Sequence, residues 1–343
     1  MTERFRNLLL ATKSEASKFG LAPVITKHKL QLLDLFSDSA LTELLESHPR
    51  DHLQAFTMGA DCENRQEWQP VDTAGASGPD LFRAAATGHL WFNIFRVQLF
   101  HSRFRDLLDQ LFGEISEAHP GLRCFNQTGT LIISSPNALV YYHADAQPNF
   151  LWHVRGAKRV WVYPAGDSEL IDQELMEDIF ASYSDEEVPY KPEFDAKAAV
   201  FDLGPGDVIS WPQNSPHRVT NVGGLNVSLS AIYETEQSSH RKLIYCANRL
   251  FRRRYHIPTW STKETGISTP LKTLAYRGIR KLGLIPTPPR RAYITELRIN
   301  PDAPGGYERI NDGPVLTEFS KKEFALRKDA WGRTTATALG RAR

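Results

Sequence analysis

The chain has 343 residues, 41 Lys and Arg against 40 Asp and Glu, and 41% hydrophobic residues, ordinary proportions for a soluble globular protein. That length can bury a large core, in one elaborated domain or two. No apolar run approaches the roughly 18–20 residues a membrane-spanning helix needs, and the three-leucine run near the start is not the apolar region of a signal peptide.

Elements follow in chain order. Residues 1–36 read as a lead-in with one short helix and an extended VIT segment. Residues 37–48 start like a helix, with Ser37, Asp38 or Ser39 as cap and Leu41, Leu44 and Leu45 as an apolar stripe. Residues 61–81 are polar and rich in Gly and Pro and predict a surface loop. Phe100, Phe104, Leu107, Leu108 and Leu111 recur at helical spacing and predict a helix over 99–117 whose apolar face is core. From residue 124 the pattern turns to short β-rich runs, TGTLIIS to LNVSLSAIY, separated by turn residues, as in an antiparallel sandwich or barrel. Residues 166–197 interrupt the series with a helix and an acidic, proline-bearing loop. Residues 237–254 predict a basic amphipathic helix that could pair two subunits, and a further helix is expected near 270–282 before a poorly patterned tail.

The three cysteines, Cys62, Cys124 and Cys246, are widely spaced and form no CxxC, which fits reduced thiols and a cytoplasmic setting. Charge is uneven along the chain. Residues 241–343 hold 22 Lys and Arg against 8 Asp and Glu, and the remainder holds 19 against 32. The basic residues are interleaved with Pro and apolar residues, so packing of the basic part on the acidic body, or on a partner subunit, is favoured over a nucleic-acid partner.

The chemistry-bearing residues lie in YYHADAQPN (141–149) and SWPQNSPHRVTN (210–221). On a strand His143 and Asp145 point to the same face, and His217 from a distant strand would complete a two-histidine, one-carboxylate set. That set leaves coordination positions open and suits non-haem Fe(II), which must take a co-substrate and oxygen together. The spacing Gly206-x5-Pro212-x-Asn214-x2-His217-x3-Asn221 resembles the second cupin motif, with Asn214 where glycine is usual. Asn tolerates the left-handed backbone best after Gly. Asn137-x5-His143-x-Asp145-x3-Asn149-x6-Gly156 resembles the first cupin motif, Asn137 again standing for glycine, Asp145 for a second histidine and Asn149 for a glutamate. HxD with a distant His moves the resemblance toward the JmjC-type (cupin-like) Fe(II)/2-oxoglutarate oxygenases.

That resemblance implies a mainly β protein with flanking helices and a double-stranded β-helix (jelly-roll, cupin-like) core at 120–236. An N-terminal helical and extended region, 1–119, would pack on the core, and a basic helical and irregular extension, 237–343, would follow it. It further implies that Lys158 binds the far carboxylate of 2-oxoglutarate, with Thr130, Asn149 and Ser230 as polar contacts to the co-substrate. Arg218, adjacent to His217 on a strand, should face away from the metal. His153 and His101 have no partner at ligand spacing and read as structural. Trp152, Trp161 and Trp211 read as barrel core. The implied function is an Fe(II)- and 2-oxoglutarate-dependent dioxygenase, a hydroxylase of a protein side chain or small molecule. Two other functions fit the residues: a metal cupin enzyme that does not use 2-oxoglutarate, and a non-catalytic cupin-like binding protein whose basic C-terminal region engages nucleic acid.

Overall fold

The computed structural model of the chain describes residues 7–186, 188–257, 261–288 and 292–320. Ten strands share one hydrogen-bonded network: β1 Val24–Lys27, β2 Leu53–Thr57, β3 Pro70–Val71, β4 Leu90–Phe95, β5 Phe125–Ser134, β6 Leu139–His143, β7 Asn149–Val162, β8 Ala199–Leu203, β9 Asp207–Ser210 and β10 His217–Glu234. Its axis is the antiparallel pair of long strands, β7 and β10. The register between them slips at Asn221/Gly223 and again at Gly223/Val227, so both strands bend there. Gly156 stands at the bend with φ +79°, and a Cβ on it would come 2.6 Å from Asn226 Nδ2. Only glycine fits without displacing that side chain.

On one side of the bend the pair is flanked by β6 and β8; on the other side by β5 and β9. The two long strands thus belong to two layers at once, β6–β10–β7–β8 and β3–β2–β4–β5–β10–β7–β9–β1. This is the jelly-roll core that the cupin-like resemblance implies, and the antiparallel layers are those the strand rhythm predicts. Four strands from before residue 120 continue the larger layer, while the helices from that region pack on its outer face.

Alternation sorts the side chains. Leu131, Ile133, Phe150, Trp152, Leu229 and Ala231 face outward and pack with Phe104, Leu107, Leu108 and Leu111 of the Ser102–Ala118 helix. Ile132, Leu151, Val160, Val162, Ile209 and Trp211 face inward between the layers. A third cluster joins Tyr142 and Tyr163 to the Gln173–Phe180, Glu236–Tyr255 and Ser268–Lys281 helices through Met176, Ile179, Ala247, Leu250 and Tyr276. The helix expected at 37–48 is Asp38–Ser47, capped by the Ser37 hydroxyl on Ala40 N–H.

Residues 61–81 are not one loop. They carry a 3-10 turn at Arg65–Glu67, strand β3, and the start of a helix, Gly78–Thr87, capped by Ser77 with Pro79 in its first turn. Pro at that position is pre-set for a helix rather than a turn. The tail holds two small ribbons, Ile294–Thr295 with Val315–Leu316 and Leu297–Ile299 with Tyr307–Arg309. No helix among the described residues is long and apolar enough to cross a membrane.

Part of the charge asymmetry is met inside the chain, among the described residues. The Glu236–Tyr255 helix lays Arg249 on Asp178 (2.6 Å), Arg252 on Glu177 and Arg253 on Asp178 (3.1 Å), all from the acidic Gln173–Phe180 helix. Arg252 meets Glu177 through two nitrogens, Nε at 3.0 Å and a terminal nitrogen at 3.1 Å, and the Glu177 side chain is 1% exposed. Removing one partner of such a pair strands a buried charge. Arg252→Met should therefore lower the unfolding free energy by about 3 kcal/mol in denaturant titration, and Arg252 and Glu177 changed together to Met and Gln should recover most of it.

Candidate metal centre

The last residue of β6 is His143 and the first of β10 is His217, and the two are register partners across the ladder. Their rings are 4.0 Å apart, centroid to centroid. Asp145 lies just beyond the end of β6, in the turn, where same-face strand geometry no longer applies. Convergence is kept because Ala144 turns outward, fully buried, and its N–H is held by the Glu186 carbonyl at 2.8 Å. Asp145 Oδ1 is then 3.7 Å from His143 Nε2, and its Oδ2 is 3.7 Å from His217 Nε2. One ligand atom from each of the three residues falls within 4.8 Å of the others, the only such group of three among the described residues.

Both imidazoles are pre-set as ligands. His143 Nδ1 is 2.7 Å from the Tyr141 carbonyl and His217 Nδ1 is 3.1 Å from the Ser215 carbonyl. A carbonyl only accepts, so each Nδ1 carries the proton and each Nε2 keeps its lone pair for the shared point. Burial first, then the neighbouring His143, pushes His217 down to about 4, which keeps it neutral and able to ligate. Trp211 packs its ring 4.5 Å from that of His217. Asn149 Nδ2 donates to Asp145 Oδ2 at 2.9 Å, and Asn214 Nδ2 donates to the Asp145 carbonyl at 3.0 Å. Asn214 has φ +65°, as expected of a glycine substitute, whereas Asn137 is not in the left-handed region. Two neutral imidazoles and one carboxylate, held by hydrogen bonds from behind, fit a ferrous ion in both donor type and number.

The three residues open on a cavity of about 690 Å³ between the layers, which Lys158, Thr130, Asn149 and Ser230 also line. Lys158 is 1% exposed. Its Nζ donates to Ser228 Oγ at 2.8 Å, and no carboxylate lies within ion-pair distance. Burial alone brings its pKa down to about 7. Thr130 and Ser230 are register partners on β5 and β10, so their hydroxyls enter side by side. Arg218 points the other way, onto Asp195 and over the Trp161 ring at 3.5 Å.

Three residues of the site carry no motif. Ser228 and His153 form a relay behind Lys158: Ser228 Oγ, receiving the ammonium, is 3.0 Å from His153 Nδ1, and His153 Nε2 is 3.0 Å from the Gly156 carbonyl. His153 therefore has a job, holding Ser228 in place, though not as a ligand. The alternation V-S-L-S-A over 227–231 marks Ser228 and Ser230 as one inward polar face, a signal present in the sequence. Glu186 covers Asp145 from the 182–186 loop, its Oε1 accepting from Ala146 N–H at 2.8 Å. Burial, then the charge of Asp145, pushes it up to about 7.

A family model described as a cupin-like domain matches residues 39–239. No curated protein matches the chain. Among solved structures it is similar to YcfD, a ribosomal oxygenase from Escherichia coli. The complex of YcfD with cobalt and 2-oxoglutarate is 16% identical, over 80% of this chain and 67% of that one, with a TM-score of 0.47. The complex with cobalt and succinic acid is 15% identical, over 78% and 66%, with a TM-score of 0.46. A further YcfD structure is 14% identical, over 90% and 85%, with a TM-score of 0.45.

Burial also holds three imidazoles outside the triad neutral. It pushes His28 and His48 down to about 4 and His153 to about 3. Below pH 6.5 the unfolded chain takes up protons at these positions that the folded chain refuses until about pH 4. Stability should thus fall as pH drops from 6.5 to 4, with a slope of about 4 kcal/mol per pH unit at its steepest from these three groups together. Denaturant titrations across that range check it, and His153→Asn should make the slope shallower.

Proposed function

This chain belongs to the cupin-like, JmjC-type domain family, and we propose that it is an Fe(II)- and 2-oxoglutarate-dependent oxygenase that hydroxylates a protein side chain or a small molecule. One observation carries the reading: a fully buried ammonium with no carboxylate partner among the described residues, Lys158, shares a cavity with the His143, Asp145 and His217 set. A buried cation without a counter-ion is costly, and a ligand carboxylate would supply the missing charge.

In this reading His143 Nε2, Asp145 and His217 Nε2 hold the iron. Bound there, ferrous iron supplies the redox chemistry by which oxygen and 2-oxoglutarate become succinate, carbon dioxide and one oxygen atom inserted into a substrate C–H bond. The chain's own residues do the rest. Lys158 pairs with the far carboxylate and so fixes which end of the co-substrate reaches the metal. Ser228, braced by His153, keeps the ammonium aimed. Thr130 and Ser230 offer hydroxyl donors, and Asn149 holds the orientation of Asp145. Leu151, Trp211 and Val219 line the same space and exclude water from it. A cytoplasmic setting belongs to the same proposal and is supported by three free cysteines. Arg249, Arg252 and Arg253 of the basic helix are occupied in-chain by the acidic one, which weighs against the nucleic-acid reading.

Two measurements test this. Anaerobic protein loaded with Fe(II) and 2-oxoglutarate should release succinate when oxygen is admitted, and Lys158→Ala should weaken 2-oxoglutarate binding by about a hundredfold. Absence of 2-oxoglutarate binding, or an unaltered Lys158→Ala variant, would sink the proposal. The second measurement uses the low Lys158 pKa. Pairing with a carboxylate raises it again, so binding at pH 8 should take up close to one proton and binding at pH 6 almost none. Calorimetry in two buffers of different ionisation enthalpy reads that uptake directly, and affinity should fall as pH rises above 7.

A further inference from the structure

The cavity is larger than a five-carbon dicarboxylate requires, and one wall of it has no role in holding that molecule. Six aromatic rings follow one another along this wall, each in contact with the next. Tyr141 to Trp68 is 6.1 Å between centroids, Trp68 to Phe56 4.9 Å, Phe56 to Tyr293 5.7 Å, Tyr293 to Phe319 6.0 Å, and Phe319 to Phe95 5.6 Å. All six line the cavity. The row starts beside the metal centre, since Tyr141 stands two residues before His143 on β6.

Two of its rings come from outside the matched family domain. Tyr293 and Phe319 lie well beyond residue 239, in the tail that has no readable pattern. They are held against the core by backbone. Asp72 N–H donates to the Leu297 carbonyl at 2.8 Å and Ile299 N–H to the Asp72 carbonyl at 3.1 Å. Tyr293 N–H donates to Ser320 Oγ at 2.8 Å, and Thr317 N–H to the Tyr293 carbonyl at 3.0 Å. The tail is thereby zipped to β3 with two rings presented inward.

We propose that this row is the substrate-binding wall, that residues 293–320 are a specificity element, and that the group received is flat, uncharged and apolar, an aromatic ring above all. Rings stack on rings offset or edge-on at these separations. A cation would also find ring faces attractive, and Glu67 and Asp61 act on the Tyr141 end of the row, but neither of them lines the cavity. The polar side chains along it are the neutral Gln54 and Asn93. The acids Asp185 and Glu186 belong to the loop over Asp145, and the cavity also holds a cation, Lys158, with its Nζ 6.0 Å from the Trp91 ring. A cavity of about 690 Å³ falls in the range that holds whole ligands. Binding of the group stands on the rings alone; what happens to it rests on the oxygenase reading.

The test is calorimetric titration of the full chain with three probes: indole-3-acetamide, a tetrapeptide amide containing tryptophan, and agmatine as the cationic counterpart. The aromatic probes should bind. Tyr293→Ala and Phe319→Ala should each weaken them about tenfold, while Tyr293→Phe and Phe319→Tyr should retain binding and Tyr255→Ala, on an exposed helix end, should leave it unchanged. Tighter binding of the free amide assigns the wall to a small molecule, and tighter binding of the peptide assigns it to a protein side chain. Agmatine binding more tightly than either, no binding of either aromatic probe, or wild-type binding in alanine variants of unaltered melting temperature would each overturn the proposal. The two readings fail separately: aromatic binding by a chain that takes up no 2-oxoglutarate removes the oxygenase and keeps the wall, and 2-oxoglutarate binding beside a ring-independent probe response does the reverse.

Discussion

A fold that keeps an ammonium group fully buried, without a carboxylate in reach, retains a group that destabilises it whenever it is charged. Lys158 is such a group, and its surroundings are arranged around it. Ser228 gives it one hydroxyl. His153, kept neutral by burial, gives that hydroxyl its acceptor and closes the chain on the Gly156 carbonyl. The relay can hold the ammonium in place but cannot neutralise it. Sequence, packing and electrostatics therefore point the same way: this end of the cavity is built to be completed by an anion from outside.

The position of Lys158 follows from the bend in the two long strands. Lys158 pairs with Asn221 immediately before the register slips, two residues after Gly156. His217 is four residues earlier on β10, and its register partner on the other flank is His143. A single feature, a pair of strands passing from one layer to the next, thus sets both the two histidines and the cation on the inner face. The outer faces of the same strands carry Leu229, Ala231, Phe150 and Trp152, and their burial under the N-terminal helices fixes the register. A slip of one residue would turn Lys158 and Ser228 outward and put apolar side chains in their place.

What could be read from the sequence divides along physical lines. His143, Asp145 and His217 were legible because fixed spacings between ligands, glycines and prolines carry information that no single residue does. Lys158 was legible only through resemblance, since nothing local tells a buried strand lysine from an exposed one. The place of His153 behind Ser228 depends on which strand lies across from it, and register is not written in one strand. Asn214 met the expectation of a left-handed backbone, and Asn137, placed by the same analogy, did not. The helix Gly78–Thr87 was hidden by its own start signal, because Ser, Gly and Pro together look like a loop until Pro79 is read as a first-turn residue. The tail stayed unread for a simpler reason: strands of two or three residues are too short to show a period.

The distribution of charge is the last part of the same logic. The Gln173–Phe180 helix and the Glu236–Tyr255 helix are long separated in sequence and opposite in charge, and both pack on the outer side of the smaller layer with Tyr142 between strand and helices. Tyr142 is the neighbour of His143, and the loop that follows the acidic helix supplies Glu186 to cover Asp145. The arginines therefore clamp the helix whose following loop closes the metal side of the cavity. Loosening that clamp would act on the site at a distance, through the seat of the 182–186 loop, without touching a ligand. The basic Glu236–Tyr255 helix and the acidic Gln173–Phe180 helix serve here as the two sides of an internal joint.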